Sequence, residues 1–72
     1  MRNLESKYPN KLKELRKKHR LLQKDIAEKI GLHDENRICR WEKGQSIPSF
    51  PNLLKLAKLF NVPMEDIYSE LK

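Results

Sequence analysis

The sequence predicts an all-α fold of five short helices, and three observations predict it. No segment alternates apolar and polar residues with a period of two for long enough to make a strand. Leu53, Leu56, Ala57 and Phe60 recur at i, i+3, i+4 and i+7, the spacing of one helical face. The two glycines and four prolines stand at intervals that divide the chain into lengths of one short helix each.

Each element has its own signal. Tyr8-Pro9-Asn10 leads into Leu12 and Leu15, so the first helix is expected from about Pro9 to Lys18, with proline in its first turn. Ile26, Ala27 and Ile30 carry the second stripe, and Gly31 closes it in the left-handed conformation; helix two is expected over Gln23 to Ile30. Leu32 and His33 form a short turn. Asp34 then offers a carboxylate to the first free N–H groups of a third helix, which runs to about Lys43 and stops at Gly44. Gln45 to Pro48 is a loop. Ser49 caps the fourth helix, Pro51 is tolerated in its first turn, and Asn61 stands where a helix ends left-handed. Pro63 opens a short fifth helix bearing Ile67 and Leu71. Residues 1–8 are polar and lack the apolar stretch of a signal peptide, so they are expected to be a poorly ordered arm before a single domain over 9–72.

Composition narrows the function classes. A chain of 72 residues holds one domain with a modest core. Its single cysteine, Cys39, excludes an intramolecular disulfide and suits a reducing, cytoplasmic setting. No apolar run is long enough to span a membrane, and no membrane partner is expected. The net charge of +6 is uneven: residues 1–24 carry nine basic side chains against two acidic ones. That asymmetry reads either as a face for a polyanion or as an ordinary solvated surface. His19, His33 and Cys39 match no common metal-site spacing. With no glycine-rich phosphate loop and no nucleophile–base constellation, the expectation is no enzyme, no cofactor, no metal and no small-molecule ligand.

Two short helices joined at Gly31 by a tight turn are the signature of a helix-turn-helix unit, and small Ala27 lets the next helix cross close above. At about 100° per residue, Ile38 and Trp41 face the core while Asn36 points away, flanked by Cys39 and Arg40. Asparagine bonds adenine through two atoms and arginine does the same to guanine, so this outward face suits base readout. Trp41 and Phe60, on apolar faces, are expected in the core rather than on an aromatic platform. Cys39 is expected to fill a small position on the outward face rather than to act as a redox switch. Leu54 and Leu59 lie off the centre of the helix-four stripe and read either as a subunit interface or as scattered surface leucines. Lys17 and Lys18 read either as solvated or as DNA-facing.

The stretch from Leu21 to Gly31 resembles the first half of the helix-turn-helix of the lambda-repressor-like, Cro-type family. Ile38-Cys39-Arg40-Trp41-Glu42-Lys43-Gly44 resembles its recognition helix, and Pro48-Ser49 with Leu53-Leu54-Lys55-Leu56-Ala57 resembles its fourth helix. The resemblance implies a five-helix bundle that binds specific double-stranded DNA as a transcriptional regulator, often as a homodimer. It implies that Gln23 sits on a phosphate at the start of helix two, that Arg16 and Glu42 pair, and that Lys43, Gly44, Gln45 and Ser46 form a loop on the phosphate backbone. The expected base contacts are Glu35, Asn36, Cys39 and Arg40, and the expected phosphate contacts are Gln23, Lys24, Arg37, Lys43, Gln45 and Ser46. With no effector domain in view, the expected action is repression by occupying an operator. The competing reading is a protein-interaction module of the same fold, an antitoxin or adaptor, with secondary DNA binding. Three features depart from the family pattern. Leu22 stands where a capping serine or threonine is usual, the spacing from Gly31 to Ile38 is one residue longer, and Glu35 brings a negative charge near phosphates. The extra residue is placed in the turn near His33; inside the helix it would shift the base-facing positions.

Overall fold

In the computed structural model, which describes residues 7–69, five helices follow in chain order: α1 (Leu12–Lys18), α2 (Gln23–Lys29), α3 (Asn36–Glu42), α4 (Phe50–Phe60) and α5 (Met64–Ile67). No strand occurs among the described residues.

Short helices leave a large share of their backbone groups unpaired at the ends, so the termini decide where each one begins and stops. At the ends of α1 to α4, one residue takes a positive φ: Arg20 at 59°, Gly31 at 83°, Gly44 at 75° and Asn61 at 58°. The following N–H then reaches back five residues. Leu21 donates to the Arg16 carbonyl at 3.1 Å, Leu32 to Ala27 at 2.8 Å, Gln45 to Arg40 at 3.0 Å and Val62 to Ala57 at 3.0 Å. This is the Schellman arrangement, repeated at every turn between the first four helices and their successors. The beginnings are more varied. The Asp25 carboxylate accepts from the Leu22 N–H at 2.8 Å, but Leu22 has no side-chain acceptor to return the favour. The Ser49 hydroxyl accepts from the Asn52 N–H at 3.4 Å. Asp34 accepts from the Asn36 N–H at 2.8 Å.

Apolar faces meet in one core. Leu12, Ile26, Ala27, Ile30, Ile38, Trp41, Leu53, Leu56, Ala57, Phe60, Ile67 and Tyr68 are all buried. Trp41 and Phe60 are therefore core residues, each 3% exposed, as their apolar spacing predicts. Polar tethers supplement the packing. Lys55 of α4 donates to the Ile30 carbonyl at the end of α2, at 3.3 Å, where a cation also meets the helix dipole favourably. The Lys11 N–H donates to the Ile67 carbonyl at 3.0 Å, joining the start of α1 to the end of α5.

The first helix begins at Leu12, three residues later than the proline suggests. Asn10 is the cause: its Oδ1 accepts from the Leu12 N–H at 2.9 Å, while its Nδ2 donates to the carbonyls of Tyr8 and Trp41, both at 2.8 Å. Pro9 thus belongs to the approach, and Asn10 ties that approach to α3. Lys7 and Tyr8, expected within a loose arm, donate their N–H groups to the Gly44 carbonyl at 3.0 and 3.1 Å. The rest of that arm, and Leu71, lie outside the described residues.

Candidate nucleic-acid interface

α2 is oriented by Ile26 and Ala27, and α3 crosses it with Ile38 and Trp41 buried at 2% and 3% exposure. The helical angle between these anchors and their neighbours turns Asn36 and Arg40 outward, and both are exposed, as is Arg37 beside Trp41. Cys39 is a half-buried free thiol at the edge of the same face. Glu35 is exposed and stands immediately before the helix, in the cap position. α3 begins only at Asn36, so Gly31 to Glu35 belong to the connection between α2 and α3. Asp34 therefore acts two residues ahead of the first helical residue.

α3 is also locked from behind. Glu42 at its end accepts from Arg16 Nε at 2.5 Å and Nη2 at 3.3 Å, a two-pronged contact from α1. Arg16 spends its remaining Nη1 on the Leu21 carbonyl at 3.0 Å. The expected pair is thus present, with side chains only 12% and 5% exposed. Gln23 joins it: its Nε2 donates to Glu42 Oε1 at 3.0 Å. That contact was not legible in the sequence. It leaves Gln23 half-buried at the first position of α2, with one amide hydrogen and its oxygen uncommitted.

The other expected phosphate contacts surround this framework. Lys24, Lys43 and Gln45 are exposed, and Ser46 is half-buried in the loop after α3. Lys13 of α1 lines the same cleft as Gln23, Cys39 and Lys43, a position the motif-based reading passed over. Its signal was present in the spacing, since Lys13 precedes Arg16 by one turn and so shares a face with it. The electrostatics follow the fold: residues 7–46 hold twelve basic and six acidic side chains, so the entire net charge of the chain lies in α1 to α3 together with the segments that lead into α1 and out of α3. Among the described residues, no cluster of histidine, cysteine or carboxylate side chains is placed to hold a metal, and no helix is long and apolar enough to cross a membrane.

Comparison with known proteins identifies the family and the fold. The family model described as helix-turn-helix matches residues 12–67. An uncharacterised HTH-type transcriptional regulator of Methanocaldococcus jannaschii is 44% identical over 59 residues, covering 82% of this chain and 88% of the relative. The cryptic phage CTXphi transcriptional repressor RstR of Vibrio cholerae is 32% identical over 63 residues, covering 88% of this chain and 56% of the repressor. Among solved structures, the restriction-modification controller protein C.AhdI of Aeromonas hydrophila superposes with a TM-score of 0.70 at 33% identity, covering 81% of this chain and 86% of that one. The chain belongs to the helix-turn-helix family, in its lambda-repressor-like, Cro-type class of DNA-binding, non-enzymatic regulators.

Proposed function

We propose that the protein is a sequence-specific repressor that binds double-stranded DNA as a homodimer and acts by occupying its operator. The observation that carries this reading is the outward face of α3, where Asn36 and Arg40 stand exposed on the side away from buried Ile38 and Trp41. Asn36 and Arg40 lie one turn apart on that face, the separation that addresses neighbouring base pairs in a major groove. Asn36 reads adenine and Arg40 reads guanine. Glu35 accepts from a cytosine amino group, and Cys39 packs at the groove edge. Gln23, Lys24, Arg37, Lys43, Gln45 and Ser46 hold phosphates and set the register; they carry no base information of their own. Glu42 orients Gln23 for that task, because it fixes the amide from the protein side.

The repressor role draws support from a relative that is named a transcriptional repressor. Occupancy needs only the exposed face of α3 and the phosphate contacts around it, and the protein works in the cytoplasm at the nucleoid. Selection of bound fragments from a random double-stranded library tests the reading. It should return a two-fold symmetric site with half-sites about 34 Å apart on one face of the duplex. Recovery of unrelated fragments without a shared motif would contradict it.

A further inference from the structure

We infer that Asn10 is a positioning residue of the nucleic-acid interface: its side-chain amide fixes the loop after α3 in the shape that presents Lys43, Gln45 and Ser46 to the DNA backbone. The inference rests on the reading above that these three side chains hold phosphates, and adds what orders them. Asn10 precedes α1 and stands outside the helix-turn-helix itself. Its half-buried amide is nevertheless committed at every group. Oδ1 accepts from the Leu12 N–H at 2.9 Å. Nδ2 donates one hydrogen to the Tyr8 carbonyl and the other to the Trp41 carbonyl, both at 2.8 Å. A flipped amide would lose all three bonds, so the orientation is fixed.

The Trp41 carbonyl is where this bears on the interface. It lies one residue before the end of α3 and accepts the Gly44 N–H at 3.0 Å, which closes the turn. Asn10 gives that anchoring carbonyl a second donor. The bond from Asn10 to Tyr8 holds the preceding residues, and the Lys7 and Tyr8 N–H groups both reach the Gly44 carbonyl, at 3.0 and 3.1 Å. Gly44 is thus gripped from both sides and buried, while Lys43 before it and Gln45 after it are exposed. Gly31 ends α2 at a similar positive φ without such a grip: it is exposed, and among the described residues no donor from another segment meets its carbonyl. Long side chains on a mobile backbone lose freedom when they bind, and those presented from a fixed backbone have less to lose. Asn10 is uncharged and its amide hydrogens are spent inside the protein, so its route to DNA runs through the loop. Its effect is the same for every base sequence, because phosphates carry none.

Asn10→Ser tests the assignment, since a serine hydroxyl still accepts from the Leu12 N–H but cannot donate to two carbonyls. In the free variant the Gly44 and Gln45 amides should exchange with solvent at least about tenfold faster relative to the Leu56 and Phe60 amides of α4, which report global opening. The dissociation constant for the selected DNA site should rise about three- to tenfold, equally for all single-base changes of that site. In a Lys43→Ala/Gln45→Ala background the same substitution should change affinity by less than about twofold. Should Asn10→Ser not fold, Asn10→Asp keeps the shape and the acceptor, and its added charge is common to both arms of the cycle and cancels. Faster exchange spread evenly over α4 and the loop with unchanged affinity would reduce Asn10 to a fold-stabilising residue. Full additivity with the Lys43→Ala/Gln45→Ala pair would place its effect outside the loop. Either result overturns the positioning role. The regulator reading fails separately: a wild type that selects no DNA sequence removes the operator, while the exchange comparison in the free protein still decides whether Asn10 orders the loop.

Discussion

Removing the Arg16 guanidinium should destabilise the fold far more than loss of a surface ion pair. Glu42 is 5% exposed and accepts three hydrogen bonds, two of them from Arg16 and one from Gln23. Exposed pairs contribute about 0–1 kcal/mol because water competes for both partners. Here Arg16→Ala deletes the counter-charge and two of the three donors, and leaves a carboxylate in a nearly dry site held by one amide. It also orphans the Leu21 carbonyl, which Arg16 Nη1 satisfies. Stranding one member of a buried pair costs about 3–5 kcal/mol; because Arg16 is itself 12% exposed, water can follow the truncation, and about 2–4 kcal/mol is expected. In a domain of this size each kcal/mol lowers the melting temperature by about 4–8 °C, so the variant should melt roughly 10–30 °C below wild type. Urea titrations followed by circular dichroism give the free energies. The Arg16→Ala/Glu42→Ala double variant should recover part of the loss, with a coupling energy of about 1–3 kcal/mol. Strict additivity of the two single losses, or an Arg16→Ala cost below about 1 kcal/mol, would refute the coupled, water-poor pair.

Three further perturbations probe the helix ends and the core. Leu22 is 57% exposed in the extended conformation of an N-cap, so Leu22→Ser should add the missing acceptor and stabilise by about 0.5–1 kcal/mol; a fall in melting temperature would show that Leu22 contributes packing instead. Arg20 holds a φ of 59° without the freedom of glycine, and Arg20→Gly should therefore stabilise by about 0.5–1 kcal/mol, measured by the same urea titration, with a loss refuting the strain. The Tyr68 hydroxyl is buried without a hydrogen-bond partner among the described residues, so Tyr68→Phe should match wild type at neutral pH or exceed it by about 1 kcal/mol. Burial pushes the Tyr68 phenol up from 10.0 to about 12, so the unfolded chain loses this proton first and wild-type stability should decline between those two values. Titration of stability across that range should show a shallower decline for Tyr68→Phe, and an identical decline would contradict the assignment.

Much of the fold was legible because helix punctuation in this chain is local. Gly31, Gly44 and Asn61 were recognisable as left-handed helix ends from residue type alone, and all three adopt that conformation. Arg20 fills the same role after α1 but carries no such mark in its residue type; there the Leu21 N–H reaches back to the Arg16 carbonyl across it. The late start of α1 was hidden for a related reason. Asn10 uses its side chain on Trp41, thirty-one residues away, and no local propensity reports a partner at that distance. At the candidate interface, burial of Ile38 and Trp41 follows from helical periodicity, and the exposure of Asn36 and Arg40 follows with it. The bond from Gln23 to Glu42 did not, since it depends on how α2 and α3 cross. Leu54 and Leu59 stand equally far from the centre of the α4 stripe, yet Leu59 is half-buried against the core while Leu54 and Phe50 are exposed, a difference set by the neighbouring elements and not by periodicity.

The placement of the reading face is tested most directly by measuring Asn36→Ala, Arg40→Ala, Gln23→Ala and Lys43→Ala against a set of single-base changes in the selected site. Asn36 and Arg40 should each specify one base position, so their alanine variants should keep the fold and lose about 1–3 kcal/mol of discrimination there, with other positions unaffected. Gln23→Ala and Lys43→Ala should weaken all sequences together and leave the pattern of preference intact, because phosphate contacts carry no base information. Retention of the full base preference by both Asn36→Ala and Arg40→Ala would show that α3 does not present this face to the bases.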